Sequence, residues 1–294
     1  MQKKPKVIVI LGQTATGKSD LAVKLAKKVN GEIISADSRQ VYTGLDIGSG
    51  KITKKEMRGV PHHLLDVANP KKLARRGGVF SVADFKKLAD VKIKEIIARS
   101  HTPILCGGTG FYIDAVVNGI VLPEVPPDAA LRKKLVTKSA IANFVTLQKL
   151  DPARAKTIDK DNNVRIIRAI EIATALGKVP KIKKSSPKYQ FEKIGLYLPE
   201  EKLKVKIHAR LLKRMKTGML REAQNLHKKG LSWKRMAELG LEYRYLALYL
   251  QKKMTKPEML AKLDSEIHKY AKRQMTWFKR DKEIKWRDAS KIKK

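Results

Sequence analysis

The chain has 294 residues, 43% of them hydrophobic, enough to bury a real core in one or two domains. Its 65 Lys and Arg against 28 Asp and Glu leave a formal net charge of +37, which is self-repulsive within a fold and points to a polyanionic partner, nucleic acid first; a merely lysine-rich surface would read the same way until motifs decide. The lone Cys106 excludes an intrachain disulfide framework and a cysteine-cluster zinc site, adjacent His62 and His63 lack the i, i+4 spacing of a helical zinc pair, and apolar runs such as Val7 to Leu11 are too short to span a bilayer.

No extended apolar region ending in a small-residue cleavage site opens the sequence, so a cytoplasmic protein with no membrane association is expected. Lys6 to Leu11 is predicted as the first strand. It runs into Gly12, Gln13, Thr14, Ala15, Thr16, Gly17, Lys18 and Ser19, which fit G-x-x-x-x-G-K-[ST] and open a helix over Asp20 to Val29. In that context the motif is a phosphate-binding loop. The glycines let successive backbone N–H groups turn inward, the helix N-terminus adds partial positive charge, Lys18 adds a full charge, and the Ser19 hydroxyl is placed for Mg2+. ATP is the usual occupant of such a loop, and another diphosphate is the alternative.

Glu32 to Ser35 is predicted as the second strand. Asp37 and Ser38 follow it at the carboxyl edge, where open α/β sheets bind ligands, so Asp37 is either a candidate base or an ordinary turn residue. His63 to Asp66 reads as a third strand, Val82 to Arg99 as an amphipathic helix, and Pro103 to Cys106 as a fourth strand ending in "CGGTGFY". There Gly107 and Gly108 would admit close backbone approach to a ligand, and Thr109 is either a site residue or a helix N-cap.

After Gly119 the pattern changes. "PEVPPDAALRKKL" brings three prolines and then helical sequence through about Leu176, so residues 120–189 are expected to form a mainly helical insertion, with "PKIKKSSPKY" as a polar connector. "FEKIGLYLP" at 191–199 should return as a strand to the parent sheet, and 200–294 read as helical again. The expected fold is therefore α/β: a P-loop NTPase-like parallel sheet flanked by helices, built from 1–119 and 190–294, with the helical insertion between.

Two basic stretches stand out. "NNVRIIRAIEI" puts Arg165 and Arg168 three apart on one helical face, and "YAKRQMTWFKR" mixes Lys272, Arg273, Gln274, Lys279 and Arg280 with Trp277 and Phe278. Both suit an RNA surface on which cations meet phosphates and aromatic faces accept unstacked bases; solvated basic helices with their aromatics in the core are the alternative.

Taken together, "GQTATGKS", "ISADSRQVYTGLDIGSGK", "GVPHHLLDV", "FSVADF", "CGGTGFY", "LDPARAKTIDKDNNVRIIRAIEI" and "YAKRQMTWFKRD", spread from residue 12 to 281, resemble the tRNA dimethylallyltransferases, also called tRNA isopentenyltransferases. The resemblance implies transfer of a dimethylallyl group from dimethylallyl diphosphate to the exocyclic N6 amine of the adenosine immediately 3′ of the anticodon, in tRNAs reading codons that start with U. It further implies that residues 12–19 hold a prenyl diphosphate with Mg2+ at Ser19, and that Lys18 and Arg210 support the leaving diphosphate, Arg214 being the alternative in the register "RLLKRMKTG". Asp37 would accept the amine proton, and Thr109 would line the channel where base and donor meet.

The tRNA contacts so implied are Asp37, Ser38, Arg39 and Gln40; Arg132; Val164 to Arg168; and Lys272 to Lys279. The implied partner is the anticodon stem-loop, and a monomer is expected. Two stretches depart from the family pattern: "LARRGGVFSVADF" has extra basic and glycine residues, and Gly240-Leu241-Glu242-Tyr243-Arg244 replaces the usual glycine-tyrosine run. Rival readings are a small-molecule kinase on the same loop, an isopentenyltransferase of free adenine nucleotides, and a nonenzymatic RNA-binding protein.

Overall fold

Strand β1 (Lys6–Gly12) is buried from Val7 onward, and helix α1 (Lys18–Lys28) turns Ala22, Val23 and Ala26 into the same core as Ile8, Ile10, Ile33 and Ile104. The computed structural model describes residues 4–71 and 80–292; the basic and glycine-rich stretch at 73–78 lies outside the described residues. Strand β2 (Gly31–Ala36) is buried throughout, as a strand covered on both faces must be. Then come α2 (Lys54–Met57), closed by a Thr53–Glu56 capping box, and β3 (His62–His63). β3 begins one residue before the expected strand and stops at His63 rather than Asp66, because Leu64 (φ 61°) and Asp66 (φ 56°) take left-handed backbone conformations that no strand continues through.

In α3 (Val82–Ala98), Phe85, Ala89, Ile93 and Ile96 recur at helical spacing and are buried. β4 (Thr102–Gly107) and α4 (Gly110–Val117) follow. Near the amino ends of β2 and β4 the Glu32 carboxylate, 3% exposed, accepts hydrogen bonds from His63 (2.6 Å), His101 (2.7 Å) and Arg99 (2.9 Å). Burial alone would raise this carboxyl, yet its hydrogen bonds, Arg99's foremost, hold it down at about 2. The cluster ties β2 to β3, α3 and the start of β4.

Residues 119–185 group as a second compact unit. It contains β5 (Ile120–Val121), α5 (Ala129–Leu135), α6 (Ala140–Leu150), α7 (Pro152–Ala155), α8 (Asn163–Leu176) and β6 (Lys183–Lys184), the two short strands pairing antiparallel. Leu135, Leu147, Ile166 and Ile170 form its core. Asp128, Ser139, Asp151 and Asn162 each cap the helix that follows with a side-chain oxygen.

The chain rejoins the first unit at 186. β7 (Gln190–Tyr197) pairs parallel with β1, the return to the parent sheet that the sequence predicts. Helices α9 (Glu200–Lys216), α10 (Met219–Lys228), α11 (Trp233–Glu238), α12 (Leu241–Leu250) and α13 (Lys256–Phe278) follow. The tail is not wholly helical as expected: β8 (Lys285–Asp288) adds a parallel edge strand to β7. Its charged residues hide it in the sequence, and such residues suit a sheet edge. Lys193 of β7, 7% exposed, holds it in place through ion pairs of 2.7 Å each to Asp281 and Glu283. The sheet order is β3-β2-β4-β1-β7-β8, every pairing parallel.

Candidate active site

The loop after β1 curls because three of its eight residues, Gly12, Ala15 and Gly17, have positive φ. Glycine is required at position 12, where a β-carbon would overlap the Leu196 carbonyl of β7. Within the curl the Gln13 carbonyl accepts hydrogen bonds from the Thr16 hydroxyl (2.8 Å) and the Lys18 ammonium (2.5 Å).

Two more loops reach the same edge from the ends of β2 and β4. Gly107 lies so close to Ala36 that no side chain fits, and the Thr109 N–H donates to the Ala36 carbonyl at 3.2 Å. Thr109 stands at the N-cap position of α4, but its hydroxyl does not cap that helix; it accepts the Ser38 N–H at 3.0 Å and thereby joins the two loops. Asp37 accepts the Arg39 and Gln40 N–H groups at 2.8 and 3.3 Å, both on Oδ1, so the turn role read from sequence is real and occupies one carboxylate oxygen.

Gln274 of α13 fastens the loops from the other side. Its Oε1 accepts the Thr14 N–H at 2.8 Å and its Nε2 donates to the Gly108 carbonyl at 2.9 Å.

Between these elements lies a cavity of about 550 Å³ lined by Lys18, Ser19, Asp37, Gly108, Arg210 and Tyr270, among others. Its electrostatics favour an anion. Burial pushes Lys18 down to about 8, with the nearby Arg210 charge adding to the effect, and burial together with Arg214 pushes Arg210 down to about 10. Two desolvated cations, each further lowered by a neighbouring arginine, mark a pocket suited to negative charge. Burial raises the Cys106 thiol in the same wall to about 12, so it stays protonated.

Arg210 reaches the loop itself, its Nη1 standing 3.4 Å from the Thr14 hydroxyl, whereas Arg214 is paired with Glu242 at 3.0 Å. Of the two candidate arginines, Arg210 is the one that lines the cavity. Lys206 and Lys213 line it as well; at i, i+4 and i+7 the three cations form one stripe of α9, a signal legible in the sequence but not read there.

The expected RNA-contact residues divide by exposure. Lys272 and Arg273 on α13, and Lys279 just after its end, are exposed. Gln274 is 6% exposed and spent on the two loops, and Trp277 is half-buried, packed over Gly110, with its indole N–H donating to Asp114 at 2.9 Å and the Arg280 guanidinium 4.4 Å above its ring. Both are therefore built into the fold rather than displayed on the surface. Near the cavity, Gln40 is likewise engaged, with the Ser35 hydroxyl at 3.1 Å and the Gly50 carbonyl at 3.2 Å, and the space over Gly240 abuts Arg39.

In the second unit, Arg132 and Arg168 both grip the buried Glu171 carboxylate, at 2.6 and 3.1 Å, and Arg168 also donates to the Val125 carbonyl at 2.7 Å. Arg165, three residues before Arg168 on α8, is exposed beside Val164. The spacing suggested that both arginines share one face; in the structure Arg165 meets solvent and Arg168 turns to the Glu171 carboxylate.

The parallel sheet, the curled loop at its carboxyl edge and the cationic cavity define a P-loop α/β protein. The chain belongs to the IPP transferase family, whose model matches residues 40–281. It is 42% identical over 276 residues to tRNA dimethylallyltransferase 2 of Citrifermentans bemidjiense, covering 94% of this chain and 87% of that one. It is 43% identical over 290 residues to tRNA dimethylallyltransferase 2 of Treponema denticola, covering 95% and 93%. The crystal structure of the full-length tRNA isopentenylpyrophosphate transferase from Bacillus halodurans superposes with a TM-score of 0.72 at 36% identity, over 97% of this chain and 90% of that one.

Proposed function

We propose that this chain is a tRNA dimethylallyltransferase, transferring the dimethylallyl group of dimethylallyl diphosphate to N6 of the adenosine immediately 3′ of the anticodon. One observation carries the reading: the cavity gathers Lys18, Arg210 and Asp37 on three elements at one edge of the sheet, in a chain whose relatives bear that activity's name. The donor diphosphate lies in the loop at residues 12–19. Its allylic C–O bond breaks as the backbone N–H groups, Lys18 and Arg210 take up the charge developing on the leaving group. The adenine amine attacks the freed allylic carbon, forming the C–N bond, and its proton passes to the Asp37 carboxylate.

Thr109, whose hydroxyl accepts the Ser38 N–H one residue from that base, is the residue assigned to the channel where adenine and the prenyl donor meet, a role that the likeness to the family supports. The Ser19 hydroxyl at the cavity is an oxygen ligand of the kind a hard cation takes, and it would hold Mg2+ together with the diphosphate oxygens. When bound, Mg2+ would add positive charge on the diphosphate oxygens. The acceptor base must leave its stack, a cost of a few kcal/mol on the order of that for other base-flipping enzymes, which backbone contacts from exposed Lys272, Arg273, Lys279 and Arg165 help offset. We place the reaction in the cytoplasm and the enzyme as a monomer; among the described residues no helix is long and apolar enough to cross a membrane.

The test supplies purified protein with Mg2+, radiolabelled dimethylallyl diphosphate and an unmodified tRNA bearing A 3′ of its anticodon, with AMP and ATP run in parallel. Label in tRNA alone is expected. Label in AMP without RNA would transfer the reading to a free-nucleotide enzyme, and ATP consumption without label would return the loop to a kinase.

A further inference from the structure

Glu222 of α10 lies outside every motif named above, yet its carboxylate collects four hydrogen bonds. Three consecutive backbone N–H groups converge on it, Asp46 at 3.0 Å, Ile47 at 2.7 Å and Gly48 at 3.0 Å, and the Tyr243 hydroxyl of α12 donates to it at 2.8 Å. Successive N–H groups pointing into one concavity form an anion nest, here filled by the protein's own carboxylate. Tyr243 is 1% exposed and packs on Gly48 so closely that a β-carbon there would stand 2.7 Å from the ring.

The loop so held leads directly to the cavity. Ser49 and Gly50 line it, the Gly50 carbonyl accepts from Gln40, and the guanidinium groups of Arg210 and Arg214 fill the space over the Gly50 α-carbon, which leaves no room for a side chain. Arg214 Nη1 also stands 3.4 Å from the Gly48 carbonyl. Arg210 is thus confined between this loop and Thr14 of the phosphate loop. Shifting residues 46–50 would free the guanidinium that reaches the diphosphate.

We propose that Glu222 is a positioning residue for the diphosphate, acting through the loop at 46–50 on Arg210. The inference rests on the reading of residues 12–19 as a diphosphate site and adds a residue that does not touch the ligand. The Glu222 carboxylate takes all four donors because both of its oxygens accept, Asp46 and Ile47 on one and Gly48 and Tyr243 on the other; an amide would set an N–H2 among N–H groups and expel the loop.

The experiment measures binding of inorganic diphosphate with Mg2+ by calorimetry, without tRNA, for the wild type, Glu222→Gln, Arg210→Ala and the double variant. Glu222→Gln should bind about tenfold more weakly. The double variant should fall within about twofold of Arg210→Ala alone, because both substitutions remove one interaction. Affinity of Glu222→Gln for tRNA should stay within about twofold of the wild type, which a general loss of folded protein would not allow.

A folded Glu222→Gln that binds diphosphate like the wild type, or losses that multiply in the double variant, would overturn the proposal. If Glu222→Gln does not fold, Tyr243→Phe keeps the carboxylate and removes one donor; about twofold to threefold weaker diphosphate binding supports the proposal, and unchanged binding overturns it. A wild type that binds no diphosphate would overturn the phosphate-loop reading itself, a result distinct from an unaffected variant.

Discussion

Asp37 is held by two backbone N–H groups on one oxygen, so a substitution can separate its turn from its chemistry. Asp37→Asn keeps an acceptor for the turn and removes the base. It should lower kcat by on the order of a hundredfold or more while leaving tRNA affinity within about threefold, read by single-turnover kinetics and filter binding. Near-normal turnover would remove Asp37 from the base role. Lys18 supplies a pH signature. Burial sets its pKa at about 8 in the free protein, so its charge is complete below that pH and is lost as pH rises through it. The donor KM should therefore be flat at lower pH and climb above about 8, and Lys18→Arg should flatten the climb. Thr109 teaches a related lesson. Residue type allows a helix cap or a site residue at this position; the hydroxyl leaves α4 uncapped and joins the β2 and β4 loops through Ser38, geometry that residue type does not encode.

Helix α13 shows how a sequence pattern can be read on the wrong face. Met259, Leu263, Ile267, Ala271, Gln274 and Phe278 are its buried residues, so Gln274 is the polar member of an apolar stripe rather than a neighbour of the exposed cations. Replacing it by Leu would strand the Thr14 N–H and the Gly108 carbonyl, each formerly bonded to its amide. Gln274→Leu should cost about 2 kcal/mol in denaturant unfolding and raise the donor KM. Lys272→Ala, one position pair away and exposed, should leave stability within about 0.5 kcal/mol and weaken tRNA binding. The same limit explains β8 and β3. A four-residue edge strand with three charged residues looks like a solvated helix end, and a strand cut short by left-handed residues looks longer than it is, because hydrophobic periodicity registers burial and not backbone dihedrals.

At the scale of the molecule, the net charge of +37 predicts an electrostatic mode of RNA binding. Affinity for unmodified tRNA should fall by on the order of a hundredfold or more between about 50 and 200 mM salt, measured by fluorescence anisotropy, whereas diphosphate affinity, set inside a cavity, should change far less. A shallow salt slope for tRNA would mean that the surplus lysines decorate the surface without meeting phosphates.

By itself, the sequence determined the α/β class with its parallel sheet, the glycine-bearing loop between first strand and first helix, and the family, because these follow from local spacing: a glycine-bearing loop, apolar repeats and motifs contiguous in the chain. The tertiary structure alone decided which arginine faces the loop, that Arg132 and Arg168 are bound to Glu171, that Gln274 is a clasp, and that Glu222 fills a nest 174 residues away from Gly48. Those are long-range pairings of polar groups, each satisfied by a partner distant in sequence, and no periodicity in one segment announces where its hydrogen bonds will be completed.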